Sequence, residues 1–167
     1  MYKYPVIVFE GIEASGKSTH IKKVSKYLNK INRKFIKIRE PGGSFYSEII
    51  RKLMLNNKSK SNFITDLMLI MASRSENFDK ILKKNFKKKI ILIDRFIDST
   101  IAYQHYGMGI DKKLIIKLNN FILGNFNATY TFVNIVNKKN MKTRFKKRNL
   151  LNKYDKFNFS FYNKVQR

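Results

Sequence analysis

The chain has 167 residues, 43% of them hydrophobic, enough for one domain with a buried core. It has no cysteine, which excludes disulfides and thiolate metal sites, and no apolar run reaches the roughly 18 residues of a membrane span. The formal net charge of +25 suits a polyanionic partner, but the lysines are spread along the chain rather than gathered into a stripe. Compositional drift toward Lys, Asn, Ile and Phe is therefore the preferred reading, and no specific nucleic-acid partner is expected.

The first predicted element is the strand Val6–Glu10. It follows Met1 so closely that no signal peptide fits before it, and a cytoplasmic protein is expected. The strand hands over to Gly11-Ile12-Glu13-Ala14-Ser15-Gly16-Lys17-Ser18-Thr19, which fits G-x-x-x-x-G-K-[ST] at every fixed position. Its two glycines let the backbone wrap a polyphosphate with successive N–H groups turned inward. Lys17 is placed to reach the β- and γ-phosphates and Ser18 to offer a hydroxyl to Mg²⁺, while the following helix adds its positive end. A chance glycine turn would lack the strand before and the helix after, so a nucleoside triphosphate site is predicted. The helix carries Ile21, Val24, Leu28 and Ile31 on one face.

Phe35–Arg39 reads as the second strand, ended by the turn Glu40-Pro41-Gly42-Gly43. Arg51 falls on a helix beyond it, where the spacing leaves both a cleft and a solvent-facing position open. Asn56–Asn62 reads as a short polar loop. A helix from about Thr65 to Lys84 brings Leu67, Ile70, Met71, Phe78, Ile81 and Leu82 together, and Arg74 falls on that same apolar face. A guanidinium there needs a counter-charge. An anionic ligand is preferred, with an internal partner such as Asp66 or Asp94 as the alternative.

The third strand, Ile90–Asp94, ends in Asp94-Arg95. A carboxylate at that point can hold Mg²⁺ beside the phosphate loop, and Arg95 can bind a second anion; a plain salt bridge is the alternative. A helix from about Asp111 to Leu123 and a strand Thr129–Val133 follow. Nearly continuous apolar strands alternating with helices predict an α/β fold with a parallel sheet covered on both faces, ligands binding at the carboxyl ends of its strands. No repeat or Gly/Ser linker divides the chain, so residues 1–167 are read as a single domain.

In this order, Phe9-Glu10-Gly11 through Thr19, Arg39-Glu40-Pro41-Gly42-Gly43, Ala72-Ser73-Arg74 and Asp94-Arg95-Phe96-Ile97-Asp98-Ser99-Thr100-Ile101-Ala102-Tyr103-Gln104 resemble the bacterial thymidylate kinases. Gly107-Met108-Gly109-Ile110-Asp111 and Phe159-Ser160-Phe161-Tyr162 extend the resemblance over almost the whole chain. It implies a P-loop NTPase fold, a nucleoside monophosphate kinase domain, a homodimer, and transfer of the γ-phosphoryl of ATP to dTMP with Mg²⁺, in dTTP biosynthesis. The whole segment Gly11 to Thr19 would hold the donor phosphates. By the same resemblance Glu13 faces the 3′-hydroxyl of the acceptor, Arg51 and Arg95 grip its phosphate, and Arg74 also contacts the acceptor. Ser99, Thr100, Tyr103 and Gln104 would line the thymine and deoxyribose pocket, with Ser18 and Asp94 at the metal and Lys17 and Arg95 catalytic. Another nucleoside monophosphate kinase, or a degraded kinase that binds nucleic acid, are the alternatives.

The chain departs from the family pattern in three places. Ile70 stands where the family stacks a phenylalanine on thymine. The phosphate loop carries no arginine between its glycines, so a lid at about 144–155 is expected to supply the cation. Arg144, Arg148 and Lys153 are its candidates, the last two preferred, although Leu150-Leu151 is unusual there. Finally, the family continues past the helix containing Val165-Gln166-Arg167 with another strand, a final helix and part of the adenine pocket. An uncovered sheet edge is therefore expected.

Overall fold

The computed structural model describes residues 3–58, 61–147 and 151–167. Four strands, β1 (Val6–Glu10), β2 (Phe35–Arg39), β3 (Ile90–Asp94) and β4 (Tyr130–Val133), form one parallel sheet in the order β2-β3-β1-β4. Three of them have the predicted bounds. β4 begins one residue late because Thr129 is tied to Val6 by its N–H (2.8 Å) and its hydroxyl (3.0 Å) rather than by strand pairing. The register Arg39↔Asp94, Phe9↔Asp94 and Glu10↔Val133 aligns the carboxyl ends of all four strands along one rim.

Alternation within the buried strands feeds two layers. Val6, Val8, Ile91 and Ile93 pack on one side with Leu82, Phe96, Leu123 and Phe126. Phe9, Ile90 and Leu92 pack on the other with Ile21 and Leu28 of α1 (Lys17–Lys30). Ile31, expected on that apolar face, is the residue that ends α1 and is exposed.

The turn after β2 leads into α2 (Phe45–Leu55), started by Ser44, whose hydroxyl accepts from the Ser47 N–H. Next comes α3 (Phe63–Asn77), capped in the same way by Asn62. It runs on through a π-helical turn, Phe78–Leu82, into a last turn α4 (Lys83–Asn85). The wider turn rotates the helical face. Leu67 and Met71 pack with Ile110 and Ile115, whereas Leu82 packs under the sheet with Phe78 and Ile81 beside it. The single apolar face expected from the sequence is thus split in two.

After β3, α5 (Ile97–Thr100) continues as a π-helical segment, Ile101–Gly107, and α6 (Lys112–Leu123) is capped by Asp111. Beyond β4 lie α7 (Lys138–Lys146), a 3-10 turn Lys153–Lys156 and α8 (Phe159–Gln166). α8 packs Tyr162 and Val165 against Ile12, Tyr103, Val136 and Met141. The Gln166 amide accepts from the Val136 N–H at 3.0 Å and donates to its carbonyl at 3.2 Å, closing off the chain where it leaves β4. β4 is one edge of the sheet, β2 being the other, and all four residues of β4 are exposed.

Candidate active site

Ending β1 at Glu10 forces the chain to turn at once into α1. Gly11 (φ +134°) permits this, because a Cβ there would collide with the Asn134 carbonyl oxygen. Gly16 (φ +99°) starts α1, and no side chain caps that helix, so the N–H groups of Lys17 and Ser18 stay available to an anion, while that of Thr19 donates to the Gly16 carbonyl at 3.1 Å. Lys17, buried, donates to the Gly11 carbonyl at 2.8 Å and the Ile12 carbonyl at 3.0 Å, holding the loop as a ring. Burial, reinforced by the Arg95 charge, lowers its ammonium to about 8. The Ser18 hydroxyl donates to Asp94 Oδ2 at 3.4 Å, bringing the two predicted metal residues together. Among the described residues no group of three or more His, Cys, Asp or Glu could hold a metal. One hydroxyl and one carboxylate beside a phosphate loop fit Mg²⁺, which takes few protein ligands and completes its shell with phosphates and water.

The loop opens on a cavity of about 1010 Å³ whose far wall comes from the turn after β2, from α3, and from the helix after β3. There Arg95, held at φ +67° with its N–H on the Phe9 carbonyl at 3.0 Å, directs its side chain back toward the loop. Its Nη2 donates to Glu13 Oε1 at 2.7 Å, its Nη1 donates to Ser99 Oγ at 3.3 Å, and its guanidinium lies 5.0 Å from the Tyr103 ring centroid. Tyr103 OH donates to Glu13 Oε2 in a short hydrogen bond. Burial is the largest single effect on Arg95 and would lower it, but Glu13, Tyr103 and Glu10 together outweigh it and hold the guanidinium above its ordinary range. Burial pushes the Tyr103 phenol well up, which keeps it a neutral donor.

Arg74 has an internal counter-ion after all, and it is neither Asp66 nor Asp94. Its Nε donates to Glu40 Oε2 at 2.7 Å, Nη1 donates to Asn119 Oδ1, and Nη2 donates to Thr100 Oγ1 at 3.0 Å. The chain supplies the pairing for which a ligand was expected, and Arg74 is still one of the residues lining the cavity. Burial pushes the Glu40 carboxyl up, and Arg74 draws it part of the way back. Arg51, ambiguous in sequence, borders the cavity with Nη1 on the Pro41 carbonyl at 2.7 Å. Ile70 and Gln104 are buried in the same wall. Ser99 spends its hydroxyl on Glu10 in a short hydrogen bond.

The lid candidates separate. Arg144, on α7, reaches the cavity and donates from Nη1 to the Ala14 carbonyl at 2.7 Å. Lys153 does not line the cavity; its ammonium donates to Asp66 Oδ2 at 2.8 Å and Ser61 Oγ at 3.0 Å. Arg148 lies outside the described residues, as does Leu150 of the Leu150-Leu151 pair.

Two contributors, Glu10 and Asn119, were not among the expected site residues. Glu10 accepts from the N–H groups of Phe96 (2.8 Å) and Ser99 (3.2 Å) and so fixes the Asp94-Arg95 corner. Its one clue was a carboxylate ending an apolar strand. Burial raises its carboxyl while these bonds draw it back. Asn119, far along the chain on α6, gave no clue at all.

The thymidylate kinase family model matches residues 9–167. A thymidylate kinase from Ehrlichia ruminantium (strain Gardel) is 37% identical over 164 residues, 96% of this chain and 78% of that protein. One from Wolbachia pipientis wMel is 36% identical over 96% of this chain and 81% of its own length. The crystal structure of a thymidylate kinase from Ehrlichia chaffeensis superposes with a TM-score of 0.75 at 39% identity, covering 84% of this chain and 81% of its own.

The chain belongs to the thymidylate kinase family. Its fold is therefore the P-loop NTPase fold, with nucleotides as substrates, and the cavity between the phosphate loop and the Arg95 wall is where a family member's nucleotides have room. Among the described residues no helix is long and apolar enough to cross a membrane.

Proposed function

We propose that this protein is a dTMP kinase, moving the γ-phosphoryl of ATP onto dTMP to give ADP and dTDP. One observation carries the reading. A single cavity has the phosphate loop, Glu13 included, on one wall and Arg51 and Arg95 on the other, which gives donor and acceptor phosphates room to meet end to end. An acceptor phosphate oxygen attacks Pγ. A new P–O bond forms as the bond to the β,γ-bridging oxygen breaks, and ADP carries away the electron pair. The acceptor phosphate is largely dianionic at neutral pH, so no base is needed and the chain's task is positioning and charge neutralisation.

Lys17 and the first turn of α1 bind the donor phosphates, and Arg95 and Arg51 orient the acceptor. Glu13, held by Arg95 and Tyr103, binds the sugar hydroxyl in this reading. Thr100, Tyr103, Gln104 and Ile70 shape the base and sugar pocket, with Arg74 at its floor. Ser18 and Asp94 would hold Mg²⁺, which when bound neutralises charge on the transferring group. Arg144 is the best-supported lid cation, since it already touches the phosphate loop. Residues 1–167 act as one domain in the cytoplasm. α2 exposes Phe45, Tyr46, Ile49 and Leu53, and α3 exposes Ile64 and Met68, an apolar surface suited to a homodimer.

The test is ADP release coupled to dTMP and Mg-ATP, with dUMP, dCMP and GMP as competing acceptors. Turnover should require dTMP, and Lys17→Ala should abolish it. Turnover that is faster with another monophosphate would overturn the acceptor assignment.

A further inference from the structure

None of the eleven Asp and Glu residues occurs in residues 14–39, 80–93 or 112–154, whereas Glu10, Glu40 and Asp94 lie at or just past the carboxyl ends of β1, β2 and β3. At the opposite pole the segments that enter β1, β2 and β3 converge. Lys3 precedes β1, Arg33-Lys34 precedes β2 and Lys87-Lys88-Lys89 precedes β3. Their contacts are direct, with Arg33 Nη2 donating to the Lys3 carbonyl and the Ile90 N–H donating to the Lys34 carbonyl at 3.1 Å. The end of α1 adds Lys30. Arg33, Lys34 and Lys89 line a cleft of about 580 Å³ together with Asn29, Asn32 and Phe35.

Lys3, Lys30, Arg33, Lys34, Lys87 and Lys88 are exposed. Among the described residues none of them pairs with a carboxylate. Asp79, eight residues before Lys87, is taken by Lys80 at 3.2 Å. So many like charges on one pole repel one another, and a polyanion seated there relieves the repulsion. The cleft is shallow and lined by three cations and two amides with Phe35 as its one apolar side chain, which suits a phosphodiester backbone better than a bilayer.

We propose that this pole binds the phosphate backbone of nucleic acid without reading sequence, at the end of the molecule away from the nucleotide cavity. In sequence the lysines look dispersed; parallel topology gathers them, because every strand entry lies on the same side.

The experiment is fluorescence anisotropy with a labelled DNA duplex and a labelled single-stranded RNA across a salt series. It compares the full chain with two triple variants that remove the same net charge. One is Lys30→Glu, Lys34→Glu, Lys88→Glu at the pole, and the other is Lys112→Glu, Lys113→Glu, Lys117→Glu on α6. Circular dichroism is the control that both variants fold. The pole variant should lose at least about tenfold in affinity, and its slope of log K against log salt should become shallower by about two to three. The α6 variant should stay within about threefold, and Lys17→Ala should bind nucleic acid as well as the parent. Equal losses in the two triple variants would reduce the effect to net charge and overturn the proposal. Absence of binding by the parent at about 50 mM salt would overturn it too. So would pole-dependent capture by phosphatidylserine vesicles with no nucleic-acid binding.

Discussion

At the scale of single residues, the cavity is held by charges that restrain one another. Lys17 rests on two loop carbonyls with its ammonium lowered to about 8, against 10.5 for an ordinary lysine. Between those values the unfolded chain binds the extra proton, so this group's contribution to stability improves as pH rises through that window and is poorest below it. Binding a polyphosphate reverses the preference by favouring the charged ammonium. ATP binding should therefore take up protons above about pH 8 and weaken as pH rises. Calorimetry in two buffers of different ionisation enthalpy will read this, and Lys17→Ala should remove it. Ile70 offers a second prediction. It is buried in the cavity wall and cannot stack. Ile70→Phe should lower KM for dTMP by about two- to tenfold, the worth of an aromatic contact of about 0.5–1.5 kcal/mol, with kcat little changed. An unchanged or higher KM would show that the ring has no base to meet.

Between elements, the decisive contact joins α3 to the segment after α7. Asp66, fully buried in the first turn of α3, accepts from Ser61, from Lys153 at 2.8 Å and from Tyr154 at 3.3 Å. Asn57 adds a bond to the Leu151 carbonyl at 2.9 Å. These contacts turn Lys153 from an expected phosphate ligand into a tether for the 3-10 turn. Asp66→Asn should cost about 1.5–3 kcal/mol, the value of a hydrogen bond to a charged group, and should release that turn before the sheet unfolds. Tryptic cleavage after Lys153 and Lys156 would then accelerate under native conditions. Cleavage at the parent rate would mean that Asn152 and Tyr162 hold the turn without Asp66.

For the whole molecule, the outer face of α2 and α3 exposes Phe45, Tyr46, Ile49, Leu53, Ile64 and Met68, an apolar surface that a second copy can cover. Ile49→Asp places a charge at its centre. If the family member is a homodimer through this face, sedimentation velocity should show the parent as a dimer and the variant as a monomer. A variant that still dimerises would place the interface elsewhere. The sheet was the most legible part of the molecule. Continuous apolar strands can be buried only between helices, and three of the four have the bounds that pattern predicts. The phosphate loop was legible for a similar reason, since its chemistry is carried by residues close together in sequence.

What the sequence determined by itself is thus local in character: where strands and helices lie, which loop takes a triphosphate, and which family's motifs it carries. Tertiary structure alone decided the partners of the charges. Arg74 meets Glu40 rather than Asp66 or Asp94, Lys153 is withdrawn to Asp66, and Arg144 comes to the phosphate loop. A charged side chain can span several ångströms in any direction, so its partner depends on which helices the fold brings alongside. The same holds for the basic pole: lysines scattered along the chain become one surface because parallel strands all begin on one side of the sheet.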